Sequence, residues 1–331
     1  MSARGVTNMD NQSIQYCFPN NNLSCSRSIR PEVEYIIVYS FIAVTSVFTV
    51  FLNLLVIISI THFKQLHTPT NVLILSLAVA DLIAGLILLP VQGMQLIEPC
   101  WYFGEIFCSI FLLILYVVVT ASLGNLIIIS VDRYIAVNDP LQYPMKVTNS
   151  RVVVSIVVNW VFSFIYNFYL LYEYILCPER NHTCIGECII YVKLENIIID
   201  AFVCLVAPCW VIVSLYVKIC FVAKQQARQM NSITDKKIKS EKKAARTLGI
   251  VVLVYLLCWM PYYLTSLSVG HNENDTLIIN VMYWIVCMNS CMNPLIYAMF
   301  YRWFRLSAKY ILTLKILEPS SAYTNLFPEE K

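Results

Sequence analysis

Long apolar runs dominate the chain, and short polar segments separate them. Seven of these runs approach the ~20 residues that an α-helix needs to cross a bilayer. They cover about residues 35–60, 72–89, 106–129, 152–171, 197–222, 248–267 and 277–300. The alternating ten-residue segments of a membrane β-barrel are absent from the sequence. The pattern predicts an all-α membrane protein, a seven-helix bundle in which Pro90, Pro208, Pro261 and Pro294 are tolerated as kinks.

The composition supports contact with lipid rather than a soluble fold. Of the 331 residues, 59% are hydrophobic and 13% are charged, whereas a soluble domain is about half apolar and about a quarter charged. These values exclude an ordinary soluble enzyme, and the low charge excludes a disordered chain. The net charge of +3 is too small to indicate a nucleic-acid-binding protein.

The placement of the basic residues predicts the orientation. If the N-terminus lies outside the cell, 18 of the 23 Lys and Arg residues fall on the cytoplasmic side and 5 fall outside. The positive-inside rule therefore predicts an extracellular N-terminus and a cytoplasmic C-terminus. We divide the chain into an extracellular segment (1–34), the bundle (35–300), and a short amphipathic helix with a cytoplasmic tail (301–331). Because no signal peptide precedes residue 35, we expect the first span to act as an uncleaved signal.

Sequons and cysteines agree with this orientation. The four N-glycosylation sequons, at Asn11, Asn22, Asn181 and Asn274, all fall on the predicted outer side. Seven of the thirteen cysteines lie there too, where disulfides persist. The other six occur singly in apolar runs and are interpreted as small buried hydrophobes. Without a paired Cys motif, and with the His residues scattered, we expect no metal site of the zinc type.

Three acids lie within or at the end of the predicted spans, where a charge is costly and each is a candidate functional group. Asp81 lies deep in the second span, and candidate partners occur on other spans. These partners are Asn53, Ser122, Asn289, Ser290 and Asn293. The group is either a water-filled hydrogen-bond cluster or a site for a small hard cation such as sodium, since such ions prefer oxygen ligands.

Asp132, Arg133 and Tyr134 end the third span at the predicted cytoplasmic face. A single arginine at this position often extends its guanidinium to the lipid headgroups. The adjacent acid also permits a releasable ion pair, the kind of local two-state element that switches use. The residues alone leave both interpretations open.

Seven motifs, one in each span, together resemble the signatures of rhodopsin-like G-protein-coupled receptors. They are Asn53, the run from Leu77 to Asp81, Asp132-Arg133-Tyr134, Trp160, Pro208, the run from Cys258 to Pro261, and the run from Asn293 to Tyr297. The resemblance covers about residues 33–308, and Leu52 departs from the usual glycine. It implies a plasma-membrane receptor and an activation switch formed by Asp132, Arg133, Tyr134, Trp259, Pro261, Asn293, Pro294 and Tyr297.

The seventh span narrows the resemblance to trace amine-associated receptors. Residues 289–304, which end in Tyr301-Arg302-Trp303-Phe304, are similar to the fingerprint of that family. The resemblance implies an olfactory amine receptor that acts through a stimulatory or olfactory G protein to raise cyclic AMP. It also implies two disulfides, Cys108–Cys188 and Cys25–Cys184, with Cys17 as a competing partner for Cys184.

The usual amine anchor of such receptors is missing from this chain. Amine receptors usually carry an Asp seven residues after the third-span Cys, but Leu115 occupies that position. Asp200, on the fifth span, is the replacement, as in some fish-expanded members of the family. The alternative is that Asp200 only marks the wet outer start of its helix. Five aromatic residues are expected to complete the ligand site: Tyr116, Trp259, Tyr262, Tyr263 and Tyr283.

Other functional classes fit less well. A receptor for a peptide or lipid remains the main alternative, because Asp200 could contact a basic side chain or no charge at all. An opsin is disfavoured, since the seventh span has no Lys for a retinal Schiff base. A transporter would need repeated halves, and a membrane enzyme would need a catalytic constellation that the sequence lacks. The identity of the amine is not encoded in any motif.

Overall fold

The computed structural model describes residues 15–19, 21, 23–27, 31–98, 100–176, 184–186, 188, 193–228, 235–268 and 273–327. Besides a four-residue helix at Tyr143–Lys146 and three short 3-10 turns, the described residues form seven long helices and one of eleven residues, which follow each other along the chain. They are α1 (Glu32–His62), α2 (Pro69–Ile97), α3 (Gly104–Asn138), α4 (Asn149–Leu176), α5 (Leu194–Ala201, Phe202–Val206 and Ala207–Arg228 in succession), α6 (Asp235–Ser268), α7 (Glu273–Phe300) and α8 (Arg302–Leu312).

Six of the described helices, α1 to α6, are long and apolar enough to cross a membrane. The seventh, α7, is 28 residues long but carries Asn280, Asn289, Ser290 and Asn293, which lower its hydropathy. Each long helix contains one predicted span and most extend beyond it at both ends. This extension is expected, because a helix can continue beyond its apolar run into the polar region at the membrane surface.

Two spans contain a π-helical turn just before a proline. In α2 the π turn covers Ala84–Leu88 and Pro90 follows, and in α5 it covers Phe202–Val206 and Pro208 follows. Proline lacks an N–H and disturbs the regular ladder, so the wider turn lets the helix continue. The apolar run that predicts the second span ends at about residue 89, and α2 continues past Pro90 to Ile97. Ser46 Oγ donates to Gly85 O at 2.5 Å and provides a partner for the π turn.

The end of α7 leads directly into the short helix α8. Only Tyr301 separates them. Trp303, Phe304 and Ser307 are buried on one face of α8, while Arg302, Arg305 and Lys309 are exposed. This is the amphipathic helix that the sequence predicts after the seventh span.

The bundle is organised around α3, which packs against α2, α4 and α5. The helices around α3 each bury one side in the bundle and expose the other. On α4, for example, Ser163, Asn167 and Leu171 are buried, whereas Val158 and Ile165 are more than half exposed. An apolar outer surface of this extent suits contact with lipid.

The N-terminal segment forms a small cap at one end of the bundle. The strands β1 (Gln15–Tyr16) and β2 (Ser26–Arg27) pair antiparallel in it. Three disulfides hold this end together: Cys17–Cys100 joins the N-terminal segment to the loop after α2, Cys25–Cys184 joins it to the loop between α4 and α5, and Cys108–Cys188 joins that loop to α3. The last two are the pairs that the family resemblance implied. Cys17 does not compete for Cys184, because Cys100 is its partner.

Peptide mapping of the non-reduced protein checks this pairing. We expect three linked peptides, one for each disulfide, because all three Cα pairs lie within 6 Å, the separation that a disulfide requires. A peptide that joins Cys184 to Cys188 would contradict the cap.

Candidate functional site

Asp200 lies in the first segment of α5, two residues before its π turn, and its side chain is partly buried. Three neutral donors reach its carboxylate. Tyr263 Oη donates at 2.8 Å, Tyr166 Oη at 3.2 Å and Cys204 Sγ at 3.4 Å. Asp200 therefore joins α4, α5 and α6 through these contacts.

Among the residues that the structure describes, the carboxylate of Asp200 has hydrogen-bond partners but no counter-ion. Within the part of the chain that the structure describes, no Lys, Arg or His forms an ion pair with it. An ionised carboxylate has about four lone-pair sites, so three donors leave one for a further donor. A desolvated charge that only neutral groups solvate is costly, and a cation at the free position relieves that cost.

The predicted aromatic residues form a continuous chain of rings that ends at Asp200. Tyr116 contacts Tyr283 with ring centroids 6.2 Å apart, and Tyr283 contacts Tyr262 at 5.1 Å. Tyr262 in turn contacts Tyr263 at 5.1 Å. Trp259 stacks on Tyr263 at 5.6 Å. The structure thus brings all five aromatic residues together, from three different helices.

Two contacts of Asp200 are not among the sequence-predicted site residues. Tyr166 comes from the middle of α4, where no motif distinguishes it from other aromatics facing lipid. Cys204 lies four residues after Asp200 and so shares its helix face. This spacing could have identified it as a neighbour of Asp200, whereas the sequence analysis interprets it as a buried hydrophobe. Leu115, at the position of the usual anchor, is 3% exposed and packs in an apolar cluster with Tyr283.

A second polar group surrounds Asp81 in the middle of the bundle. Asp81 is 1% exposed, and its Oδ2 accepts from Asn293 Nδ2 at 2.8 Å. Asn53 Nδ2 donates to the carbonyl of Ser290 at 3.1 Å. These bonds join α1, α2 and α7.

Several oxygens of this group have room for another partner. In this group, four buried oxygens have no hydrogen-bond partner among the described residues: Asp81 Oδ1, Asn53 Oδ1, Asn289 Oδ1 and Asn293 Oδ1. A cavity of about 20 Å³, large enough for one water-sized particle, is lined by Ser122, Asn289, Ser290 and Trp259. The described chain contains no cluster of three or more His, Cys, Asp or Glu side chains. One carboxylate with neutral oxygens suits a hard monovalent cation or water better than zinc.

The third acid, Asp132, holds Arg133 in an ion pair with Nη2 to Oδ2 at 2.6 Å. Thr70 donates to Asp132 at 2.9 Å and Tyr143 donates at 2.8 Å. Arg133 Nη2 also contacts Thr70 Oγ1. The guanidinium is therefore held at the bundle and does not extend freely to the surface, which favours the ion-pair interpretation. The sequence motif did not identify Thr70 or Tyr143.

The other predicted switch residues lie next to the Asp132–Arg133 pair on α3 or along α6 and α7. Tyr134 packs beside Val137 and Ile219, and Tyr297 is buried against Tyr301 with ring centroids 5.8 Å apart. Pro261 and Pro294 lie inside α6 and α7. Of the sequons, Asn11, Asn22 and Asn181 fall outside the described residues, and Asn274 falls in the first turn of α7.

Comparison with known proteins gives a consistent result. The family described as 7 transmembrane receptor (rhodopsin family) matches residues 52–297. Trace amine-associated receptor 7d of Mus musculus is 41% identical over 335 aligned residues, which cover 96% of this chain and 93% of that protein. Trace amine-associated receptor 7c of Rattus norvegicus is 41% identical and receptor 7e of Mus musculus 40% identical, with the same coverage.

Sodium-dependent stability tests the group around Asp81. We expect sodium chloride to raise the unfolding temperature of the purified protein relative to choline chloride at equal ionic strength, because an ion that binds only the folded state stabilises it. Asp81→Asn should abolish this difference. Asp139→Asn, in the loop after α3, is the matched control and should keep it. An equal sodium effect in Asp81→Asn would assign the cluster to water alone.

Proposed function

Because the chain belongs to the rhodopsin family of seven-transmembrane receptors and, within it, to the trace amine-associated receptors, we propose that it binds an amine at Asp200. The family is one of receptors and not of enzymes. The proposed receptor is multi-pass in the plasma membrane, with residues 1–34 outside and residues 301–331 in the cytoplasm. It acts in olfaction, through a stimulatory or olfactory G protein that raises cyclic AMP.

The single observation that carries the amine proposal is that the carboxylate of Asp200 has no cationic partner among the described residues. A protonated amine supplies the positive charge and the N–H donors that this carboxylate lacks. A charge-assisted hydrogen bond of this kind is about twice as strong as a neutral one. Tyr263 and Tyr166 hold the carboxylate in place, so little reorganisation is needed when the ligand binds.

The aromatic rings support the same ligand class. The faces of Trp and Tyr attract a cation with about 0.5 to 2 kcal/mol, depending on desolvation. Tyr263 is in contact with both Asp200 and Trp259. An ammonium group bound to Asp200 would therefore lie next to an aromatic surface that continues towards Tyr262 and Tyr283.

A receptor for a peptide or lipid remains the alternative. In that case Asp200 would contact a basic side chain of the ligand, or its bonds to Tyr166 and Tyr263 would be purely structural. A panel of volatile and biogenic amines, tested with a cyclic-AMP reporter on cells expressing the chain, separates the two. We expect at least one amine to produce a concentration-dependent response.

Signal transfer would use the residues between the ligand site and the cytoplasmic ends of the helices. Trp259 contacts Tyr263 on one side and lines the cavity near Asn289 on the other. An agonist that binds better to an open arrangement shifts the population towards it, and only by its difference in affinity for the two states. In the open arrangement Arg133 would leave Asp132 and face the G protein, with Tyr297 at the opening.

Substitution of Asp200 is the direct test of the ligand site. Asp200→Asn is nearly isosteric but removes the charge, and losing one partner of a desolvated charge pair costs about 3 to 5 kcal/mol, more than a hundredfold in affinity. We expect amine activation to disappear at normal surface expression. Asp200→Glu should retain a weakened response.

The matched control is Glu195→Gln, which removes an exposed acid from the start of the same helix. It should leave the concentration-response curve unchanged. If Asp200→Asn responds like the parent receptor at equal surface staining, Asp200 is not the counter-ion and the non-amine receptor is the better reading.

The ion pair at the cytoplasmic face gives a second test. We expect Arg133→Ala to reach the surface and to lose most of its agonist-dependent cyclic-AMP response, because the proposed contact with the G protein is removed. Arg151→Ala removes an exposed arginine at the start of α4 and should signal normally. Normal signalling by Arg133→Ala would refute the switch assignment.

A further inference from the structure

The residues after α8 also pack against the bundle. Residues Leu314–Phe327, which we call the strap, turn back towards the first helix. Two turns in the strap use left-handed backbone at residues other than glycine, Leu314 with φ of 58° and Ser320 with φ of 71°. Such conformations are disfavoured and persist where surrounding contacts hold them. The strap is thus a specifically folded segment.

Side chains at the end of α1 and in the loop after it bind the strap. His62 Nε2 lies 2.9 Å from Ser321 Oγ. Lys64 Nζ donates to Tyr323 Oη and lies 4.2 Å from the centroid of the same ring. Because Ser321 Oγ donates to the carbonyl of Ile316 at 2.7 Å, it accepts from His62.

Gln65 binds the strap with both ends of its amide. Its Nε2 donates to Asn325 Oδ1 at 3.3 Å, and its Oε1 accepts from the Leu326 backbone N–H at 3.0 Å. The Leu326 side chain is 5% exposed and belongs to the same hydrophobic cluster as Phe63 and Tyr297. A paired amide and a buried leucine together make a specific contact.

The strap is joined to α7 through α8. The Tyr301 N–H donates to Tyr297 O at 2.8 Å, and Arg305 Nη1 donates to the carbonyls of Ala298 and Met299 at 3.1 and 3.0 Å. The short helix is therefore attached to the end of α7. Its Tyr310 also packs on Phe63, with ring centroids 5.7 Å apart.

From these contacts we propose that the strap is an intramolecular ligand of the first cytoplasmic loop and restrains the cytoplasmic end of α7 against α1. The path from α7 through α8 and the strap to Gln65 closes a ring of contacts. Any movement of the end of α7 away from α1 has to stretch or break that ring. Release of the strap therefore favours the open arrangement and raises agonist-independent signalling. This signalling consequence rests on the proposed receptor function, whereas the docking does not.

Hydrogen exchange on the purified full-length protein tests the docking. Leu326→Asp puts a charge into the buried contact, and Gln65→Ala removes the acceptor of the Leu326 N–H. We expect both to speed exchange of the amides of residues 321–326 by about tenfold or more, because exchange reports local opening. Phe327→Asp makes the same charge change at the neighbouring side chain, which is 37% exposed. This control should leave the exchange rates of these amides unchanged. Unchanged exchange in Gln65→Ala and Leu326→Asp would overturn the docking.

Agonist-independent nucleotide exchange by a co-expressed stimulatory G protein tests the restraint, with receptor amounts matched by surface staining. A released strap should raise this basal rate about threefold in Gln65→Ala, a shift of less than 1 kcal/mol in the equilibrium between the two states. Phe327→Asp should match the parent. Faster amide exchange with an unchanged basal rate, in a receptor that still responds to agonist, would show that the strap docks but does not restrain α7. Failure of the amine proposal would leave the amide-exchange result untouched.

Discussion

The burial of polar groups in a bundle surrounded by lipid is the constraint on which the arrangement depends, since an unpartnered charge there costs several kcal/mol. The three acids meet it in different ways. Asp132 has Arg133 as a full counter-ion, while Asp81 has the amide of Asn293. Within the described part of the chain, Asp200 has only hydroxyl and thiol donors. Asp132 is therefore neutralised by an ion pair, whereas the carboxylates of Asp81 and Asp200 can still accept a cation.

The three polar groups lie on helices that share packing contacts. Tyr263 contacts Asp200 and Trp259, and Trp259 lines the cavity above the Asp81 cluster. Asn293 then carries the contact from Asp81 to α7, whose end leads into α8. A continuous set of contacts does not by itself establish coupling. It does mean that a displacement of α6 at the ligand site changes the packing around the second polar group.

The sequence predicts the fold well because each span needs about 20 apolar residues, and such runs are hard to mistake. It also singles out Asp200, since an acid stands out in an apolar run, and the structure brings the five aromatic residues expected near it into contact. Their role in ligand binding stays a prediction. Tyr166 could not be identified, because the approach of α4 to α5 is a tertiary contact with no periodic signal. The Cys17–Cys100 bond was open because spacing does not determine connectivity. The strap could not be predicted because its apolar residues follow no helical or strand period, and only Leu326 among them is buried.

Moving the acid from α3 to α5 changes how a ligand would lie. With Leu115 buried among apolar side chains, the ammonium group of the proposed amine would point to α5, and the rest of the molecule would extend along the rings towards Tyr116 and Tyr283. The Tyr283 hydroxyl is buried and has no partner among the described residues. Leaving a buried donor unpaired costs about 1 to 3 kcal/mol. A ligand with an acceptor, or a second polar group, at the end opposite its ammonium would remove this cost, which favours bifunctional molecules over simple alkylamines.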